Sequence, residues 1–331
     1  MNYFVGIDVG AETCVAAMCS SATEQNLPLL TFANTPSGIR TFEDWLLQKG
    51  IKRELATICM ESCGVYAEVL CYAFHENGWR VHVEPPHKVR RAMPVNGPKS
   101  DELDAQNIAR YAVRFFDELH QWQPRSNALE LVSVLLTLRE GFTEQSARLQ
   151  NQLQSFKRKK VRSKFAESML TKDIQRVTTE LKKIDAEIKK LIDSDSSMQD
   201  MHGKIDSVPG VGSTLAAFLM VQTNCFTTGH NAKELSSFLG IAPLLHQSGT
   251  SVNRVPRSRG FGHDAIRRLL YLAAMSACTH NDHFKEYFSR MVGMGKKKRL
   301  VINNVENKII AVICAIAKSN RPYDKEYVVA S

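Results

Sequence analysis

Four acids carry the first chemical signal in the chain. Asp8 lies inside the apolar run Phe4-Val5-Gly6-Ile7-Asp8-Val9-Gly10, where a carboxylate is costly unless it is paired or binds a cation. Glu61 ends the apolar stretch Thr57-Ile58-Cys59-Met60. Asp101 and Asp104 stand three apart at the start of a helical segment, on one helix face. Acids in a first helical turn also suit the helix dipole, so capping alone would account for that pair. As a set, the four would repel one another and raise their own pKa values unless a divalent cation neutralised them. Carboxylate oxygens are hard ligands that suit Mg²⁺ or Mn²⁺. Two such ions stabilise the attacking and leaving oxygens of a phosphodiester displacement. The spacing leaves open whether Asp104 is itself a ligand or supports one.

Positioning these acids requires a sheet. Residues 3–8, 14–20 and 29–32 read as strands, with a turn at 10–12 between the first two. A helix follows over about 38–48, a buried strand over 56–60, a helix over 65–76 and a strand over 80–83 ended by Pro85-Pro86. A further helix runs from Asp101 to about Phe116. Three strands, helix, strand, helix, strand, helix is the order of a ribonuclease-H-like α/β domain, a hairpin-led mixed sheet with helices packed on it. The expected division is an α/β domain over 1–125, a helical coiled-coil segment over 126–198 and a mainly helical domain over 199–331. In the last, helices are expected at about 232–239, 263–279, 283–291 and 301–318.

The middle segment repeats in heptads. Leu170, Ile174, Val177, Leu181, Ile184, Ile188 and Leu191 alternate spacings of four and three, and Leu131, Leu135, Leu138, Phe142, Leu149, Leu153 and Phe156 form a looser series. Two antiparallel helices or one long interrupted helix would satisfy both. Between the series lie Lys157, Arg158, Lys159, Lys160, Arg162 and Lys164. That run is either a solvated face or a phosphate contact, and the chain-wide charge favours the second.

The 331 residues carry a net charge of +9, and 44% are hydrophobic. A basic chain with real cores points to a polyanionic partner, nucleic acid by default. None of the eight cysteines forms a Cys-x-x-Cys pair, which argues against a zinc ribbon. His280 and His283 lack a second ligand pair and read as helix-end residues. Trp45, Trp79 and Trp122 suit core or half-buried roles. The opening residues do not read as a signal peptide, and no run is expected to reach the length of a membrane span. A cytoplasmic protein without membrane contact follows.

In order and spacing, these blocks resemble the DEDD transposases, which include the Piv and MooV DNA invertases and the insertion-sequence recombinases guided by a bridge RNA. Gly6-Ile7-Asp8-Val9 is similar to that family's RuvC-like opening. Glu61-Ser62-Cys63-Gly64-Val65-Tyr66 resembles its Glu-x-Thr-Gly-x-Tyr block, with Cys63 in the threonine's place. Lys99-Ser100-Asp101-Glu102-Leu103-Asp104-Ala105 resembles its Lys-Thr-Asp-x-x-Asp-Ala block. Further matches are Ser207-Val208-Pro209-Gly210-Val211-Gly212, Gly240-Ile241-Ala242-Pro243 and Gln247-Ser248-Gly249. The resemblance implies a recombinase of a bacterial mobile element, acting on the nucleoid, that cuts and rejoins donor and target DNA. It implies Ser248 as a nucleophile that becomes covalently linked to DNA, and a structured non-coding guide RNA.

Read from the residues alone, Ser248-Gly249 is an ordinary turn signal. Its setting adds Arg254, Arg257 and Arg259, then Arg267 and Arg268, a guanidinium group able to clamp phosphate. His246 is near in sequence, and Ser251 is the second candidate nucleophile. The Pro209–Gly212 turn, with Gly210 and Gly212, suits either a helix-hairpin-helix phosphate contact or a plain helix-to-helix turn. Lys296, Lys297, Lys298 and Arg299 form a basic loop. Heptads and a chemistry split between domains predict an oligomer, a dimer of dimers in which one chain's acids meet another chain's serine. The alternative function is a metal-dependent nuclease or junction resolvase without a covalent step.

Overall fold

A computed structural model of the chain describes residues 2–25, 27–92, 100–227, 229, 231–248, 252–258 and 262–324, with backbone alone over 243–248 and 252–258. It divides into two compact units, Met1–Pro124 and Arg125–Ser331.

The first unit is built on a five-stranded sheet of order β3-β2-β1-β4-β5. Its strands are β1 Tyr3–Val9, β2 Thr13–Cys19, β3 Leu29–Ala33, β4 Ala56–Glu61 and β5 Arg80–Glu84. β1, β2 and β3 pair antiparallel, whereas β4 and β5 run parallel to β1. That mixed order is ribonuclease-H-like, as the sequence order implied. Between the strands run α1 Pro36–Gln48 and α2 Val65–Glu76, followed after β5 by α3 Pro86–Ala92 and α4 Asp101–Arg114. The sequence reading ended at Pro85-Pro86 and missed α3; proline is tolerated in a first helical turn, where its missing N–H costs nothing.

Alternating strand residues feed two cores. Val5, Ile7, Ile58 and Met60 pack on one face with Ile39, Phe42, Leu70 and Phe74 of α1 and α2. Phe4, Cys59 and Ala17 pack on the other with Ala105, Ile108 and Ala109 of α4. Trp79 is buried, its Nε1 donating to Glu43 at 2.7 Å, and Trp122 sits edge-on to Tyr72, so the tryptophans are core and half-buried groups as expected.

The second unit is helical: α5 Asn127–Lys157, α6 Lys164–Asp193, α7 Ser196–Asp206, α8 Ser213–Gln222, α9 Ala232–Phe238, α10 Asp264–His280, α11 Asp282–Gly293 and α12 Lys298–Ser319. It also contains a hairpin the sequence reading did not foresee, β6 Pro243–Ser248 against β7 Val252–Ser258. α5 and α6 form an antiparallel helical hairpin, so the chain takes the two-helix option. Leu170, Val177, Ile184 and Ile188 of the α6 seam are buried, and Arg139 of α5 donates to Asp185 of α6 at 2.6 Å. The α6 seam is therefore filled by α5 within one chain, whereas Leu131 and Leu138 of the α5 series are exposed. At its base Leu129, Val132, Leu136, Ile188 and Ile192 join one core with α7, α8, α10 and α12.

One sequence expectation fails. α12 is long and apolar enough to cross a membrane by length and composition. Its Val305, Ile309, Ile310 and Ile313 are instead fully buried in the core of this unit.

Candidate functional site

The sheet brings Asp8 and Glu61 side by side. The parallel register of β1 and β4 ends on the pair Ile7–Met60, and Asp8 and Glu61 each follow by one residue. Neighbouring strands are about 4.8 Å apart, so both acids leave adjacent strand ends at one level. They share a face as well, that of Gly6 and Cys59, because side chains alternate along a strand.

That face belongs to α4. A Cβ at Gly6 would meet the Ala109 nitrogen at 2.2 Å and the Ala105 oxygen at 2.3 Å, so only glycine lets the helix lie so close. Phe4, earlier in β1, stacks edge-on against Phe116, beyond the end of α4, with ring centroids 5.4 Å apart. The helix thus runs antiparallel to β1: Phe116 over Phe4, Ala105 and Ala109 over Gly6, and its first turn toward Asp8. That first turn carries Asp101 and Asp104, and Ser100 caps it by accepting from the Leu103 N–H at 3.3 Å. Three elements therefore deliver four carboxylates to one end of one sheet face.

Cys63, just past Glu61, registers the field of these acids. Burial raises its thiol pKa, and Glu61 and Asp8 raise it further. Burial likewise pushes the Cys14 thiol up to about 11, with Asp8 and Cys63 adding to the effect. Both thiols therefore stay protonated, and neither is an activated nucleophile. The carboxylate set suits a divalent cation by ligand type. Among the described residues, however, no three His, Cys, Asp or Glu side chains stand close enough together to hold an ion. Capture would need the carboxylates to swing inward about their side-chain torsions.

Two residues at this end escaped the sequence reading. Asn34 donates from its one amide nitrogen to the Gly10 oxygen at 3.0 Å and to the Tyr66 oxygen at 3.1 Å. It thereby ties the turn after Asp8 to the helix turn after Glu61. Glu84 lies opposite Glu61 in the β4–β5 register and is buried. An acid closing the apolar strand Arg80–Glu84 repeats the pattern that singled out Glu61, and could have been noticed.

In the second unit Ser248 is the last residue of β6, paired with Val252, and His246 is paired with Arg254. Arg257 also lies on β7, opposite Leu244. Ser251 and Arg259 fall outside the described residues, as do Lys99 and Gly249 of the quoted motifs. Arg267 contacts Asp264 within its own helix, and Arg268 donates to both Glu140 oxygens at 2.9 Å, joining α10 to α5. Gly210, at φ +84°, packs against α10, where a Cβ would meet the Ala273 oxygen at 2.2 Å. It serves close helix packing. Gly212 lies open at the N-cap of α8, where no side chain caps the helix. Lys157, Arg158, Lys159 and Lys160 are exposed at the tip of the helical hairpin, and Lys296, Lys297 and Lys298 are exposed before and at the start of α12. His280 and His283 are exposed at helix ends, as expected.

Comparison with known proteins decides the family. Residues 5–157 match the transposase family DEDD_Tnp_IS110, and residues 203–289 match the transposase IS116/IS110/IS902 family.

The chain belongs to the IS110 family of transposases.

Pilin gene-inverting proteins of Moraxella bovis and Moraxella lacunata are each 26% identical to this transposase over 327 residues, covering 97% of it and 98% of each relative. An insertion element IS110 protein of Streptomyces coelicolor is 28% identical over 120 residues, covering 36% of this chain and 29% of its own. Among solved structures, Thermus thermophilus RuvC in complex with a Holliday junction substrate aligns over 37% of this chain and 100% of its own, at 13% identity and a TM-score of 0.29. Membership makes this protein a DNA recombinase of the DEDD type, with DNA as partner and a divalent cation as cofactor.

Proposed function

We propose that this transposase cuts and rejoins donor and target DNA through a covalent phosphoserine intermediate at Ser248, guided by a structured RNA. The observation that carries the reading is the delivery of Asp8, Glu61, Asp101 and Asp104 to one sheet end by strand register and by α4. The serine assignment rests on the Gln247-Ser248-Gly249 match within a family-matched region.

In the first step Ser248 Oγ bonds to the phosphorus of one phosphodiester. The bond from phosphorus to the 3′ oxygen breaks, and the serine proton ends on that oxygen. Rejoining reverses the exchange: a 3′ hydroxyl attacks the phosphoserine, the Oγ–P bond breaks and the proton returns to serine. Bond energy is kept, so no nucleotide cofactor is needed. Asp8, Glu61, Asp101 and Asp104 would hold Mg²⁺ or Mn²⁺, which supplies neutralisation of phosphate charge. Arg254, Arg257, Arg259 and Arg267 would clamp the phosphate, while Lys157–Lys160, Gly212 and Lys296–Lys298 would contact the backbones of DNA and guide RNA.

Acids and serine lie in separate compact units. This supports an assembly, proposed as a dimer of dimers, in which one chain's acids serve another chain's serine. The site of action is the bacterial cytoplasm, at the nucleoid.

The test is denaturing electrophoresis of labelled donor DNA incubated with protein, guide RNA and Mg²⁺. Wild type should yield DNA covalently attached to protein, and Ser248→Ala should yield none. Attachment surviving Ser248→Ala but lost in Ser251→Ala moves the nucleophile. Hydrolysis by Ser248→Ala at the wild-type rate replaces recombination chemistry with that of a nuclease.

A further inference from the structure

Glu84 is a buried acid with a defined set of partners. Its side chain is only 4% exposed, and its Oε2 accepts from Lys88 Nζ at 3.0 Å and from the Tyr111 hydroxyl at 3.4 Å. Its backbone oxygen accepts from the Ser62 N–H at 3.0 Å, one residue beyond Glu61. Tyr111 lies on α4 seven residues after Asp104, two helical turns along, so both stand on the same helix face. Burial and the adjacent Glu84 push the Tyr111 phenol well above its ordinary range, which keeps it protonated as the donor.

A buried carboxylate without neutralisation is expensive, and apolar packing would fill this place more cheaply. Glu84 is instead joined at two points to the elements that bear Glu61, Asp101 and Asp104. Its main chain fixes the exit of β4 behind Glu61, and its side chain fixes α4 behind Asp101 and Asp104. Lys88 brings α3 into the same contact, from the segment that leads toward α4.

We propose that Glu84 is a positioning residue: through Ser62 and Tyr111 it sets the separation between the Glu61 strand end and the Asp101/Asp104 helix turn, and so the ability of the four acids to hold a divalent cation. The inference rests on the carboxylate reading above. Residues that orient metal ligands from behind typically contribute 10–100-fold in metal affinity.

The experiment is Mn²⁺ titration of the full-length protein, reading free Mn²⁺ by electron paramagnetic resonance, with melting followed in parallel. Glu84→Ala should weaken Mn²⁺ binding about tenfold or more. Tyr111→Phe removes one hydroxyl from a position that stays filled, and should weaken binding by a smaller factor in the same direction. Glu84→Gln keeps a side-chain acceptor for Tyr111, which Glu84→Ala removes, and should recover most of the affinity; the backbone bond to Ser62 is common to both variants. If Glu84→Ala melts at a lower temperature yet binds Mn²⁺ as wild type does, Glu84 only supports the fold and the proposal falls. The same holds if Glu84→Ala is unfolded while Tyr111→Phe, folded, binds with unchanged affinity. Absence of Mn²⁺ binding by wild type itself defeats the carboxylate reading along with this one.

Discussion

In residues 2–124 the candidate acids stand on strand ends and a helix start whose placement is dictated by a buried sheet; in residues 125–324 the candidate serine ends a two-stranded ribbon attached to a helical core. The acids gain their proximity from main-chain hydrogen bonds. Register fixes Asp8 beside Glu61, and a glycine–alanine contact at Gly6 fixes α4 above them. Among the described residues the two strands of the ribbon pair with each other, β6 with β7. At its root the Ile241 oxygen accepts from Asn303 Nδ2 at 3.1 Å and Asn307 Nδ2 at 3.3 Å on α12. The candidate ion-holding acids are thus set into a five-stranded sheet layer, whereas the candidate serine is carried on a separate two-stranded ribbon.

The contrast can be broken most directly at the acids. Asp8→Asn keeps size and strand register but removes one charge from the set. Strand cleavage should fall about 10²–10³-fold, as for loss of other groups that stabilise transition-state charge. DNA binding, followed by gel retardation, should stay near wild type because the basic segments are untouched. Cleavage within a few-fold of wild type would show that the sheet end is not the reaction centre.

Gly6→Ala separates the two units by stability. Its methyl would press on the backbone of α4 at Ala105 and Ala109, which cannot yield as a side chain would. The cost should be about 1–3 kcal/mol, carried by the sheet unit alone. All three tryptophans, Trp45, Trp79 and Trp122, lie in that unit, so tryptophan fluorescence reports it selectively. The fluorescence midpoint in urea should drop while the circular dichroism of the helical unit keeps its midpoint. An unchanged fluorescence midpoint would mean α4 does not lie against Gly6.

The smallest effect belongs to Glu306, the buried acid of the helical unit. Burial raises its carboxyl above the usual range, against the smaller lowering effects of its hydrogen bond from Asn303 and of Arg299. Folding therefore favours the protonated form. The stability this adds is complete below pH about 4 and is lost as pH climbs through the raised folded value. Glu306→Gln should raise Tm by roughly 1–2 °C at pH 8 and leave it unchanged at pH 4. A lower Tm at pH 8 would mean that the ionised acid is a net asset there.

By itself the sequence determined the strand order, the four acids, the heptad seam of α6 and the family, because each is written in local period, composition or short motifs. Only the tertiary structure decided what those features touch. The seam could have called for a second chain, but α5 returns to fill it. Gly210 reads as either a phosphate contact or a plain turn, and its α-carbon side lies against α10. Arg268 reads as part of an anion clamp and is engaged by Glu140, 128 residues away. Glu84 stands just past a strand expected over 80–83, and its carboxylate meets Tyr111 from a helix 27 residues on. A residue's type and spacing fix what chemistry it can perform, whereas its partner is chosen by chain closure over long separations, which no local pattern encodes.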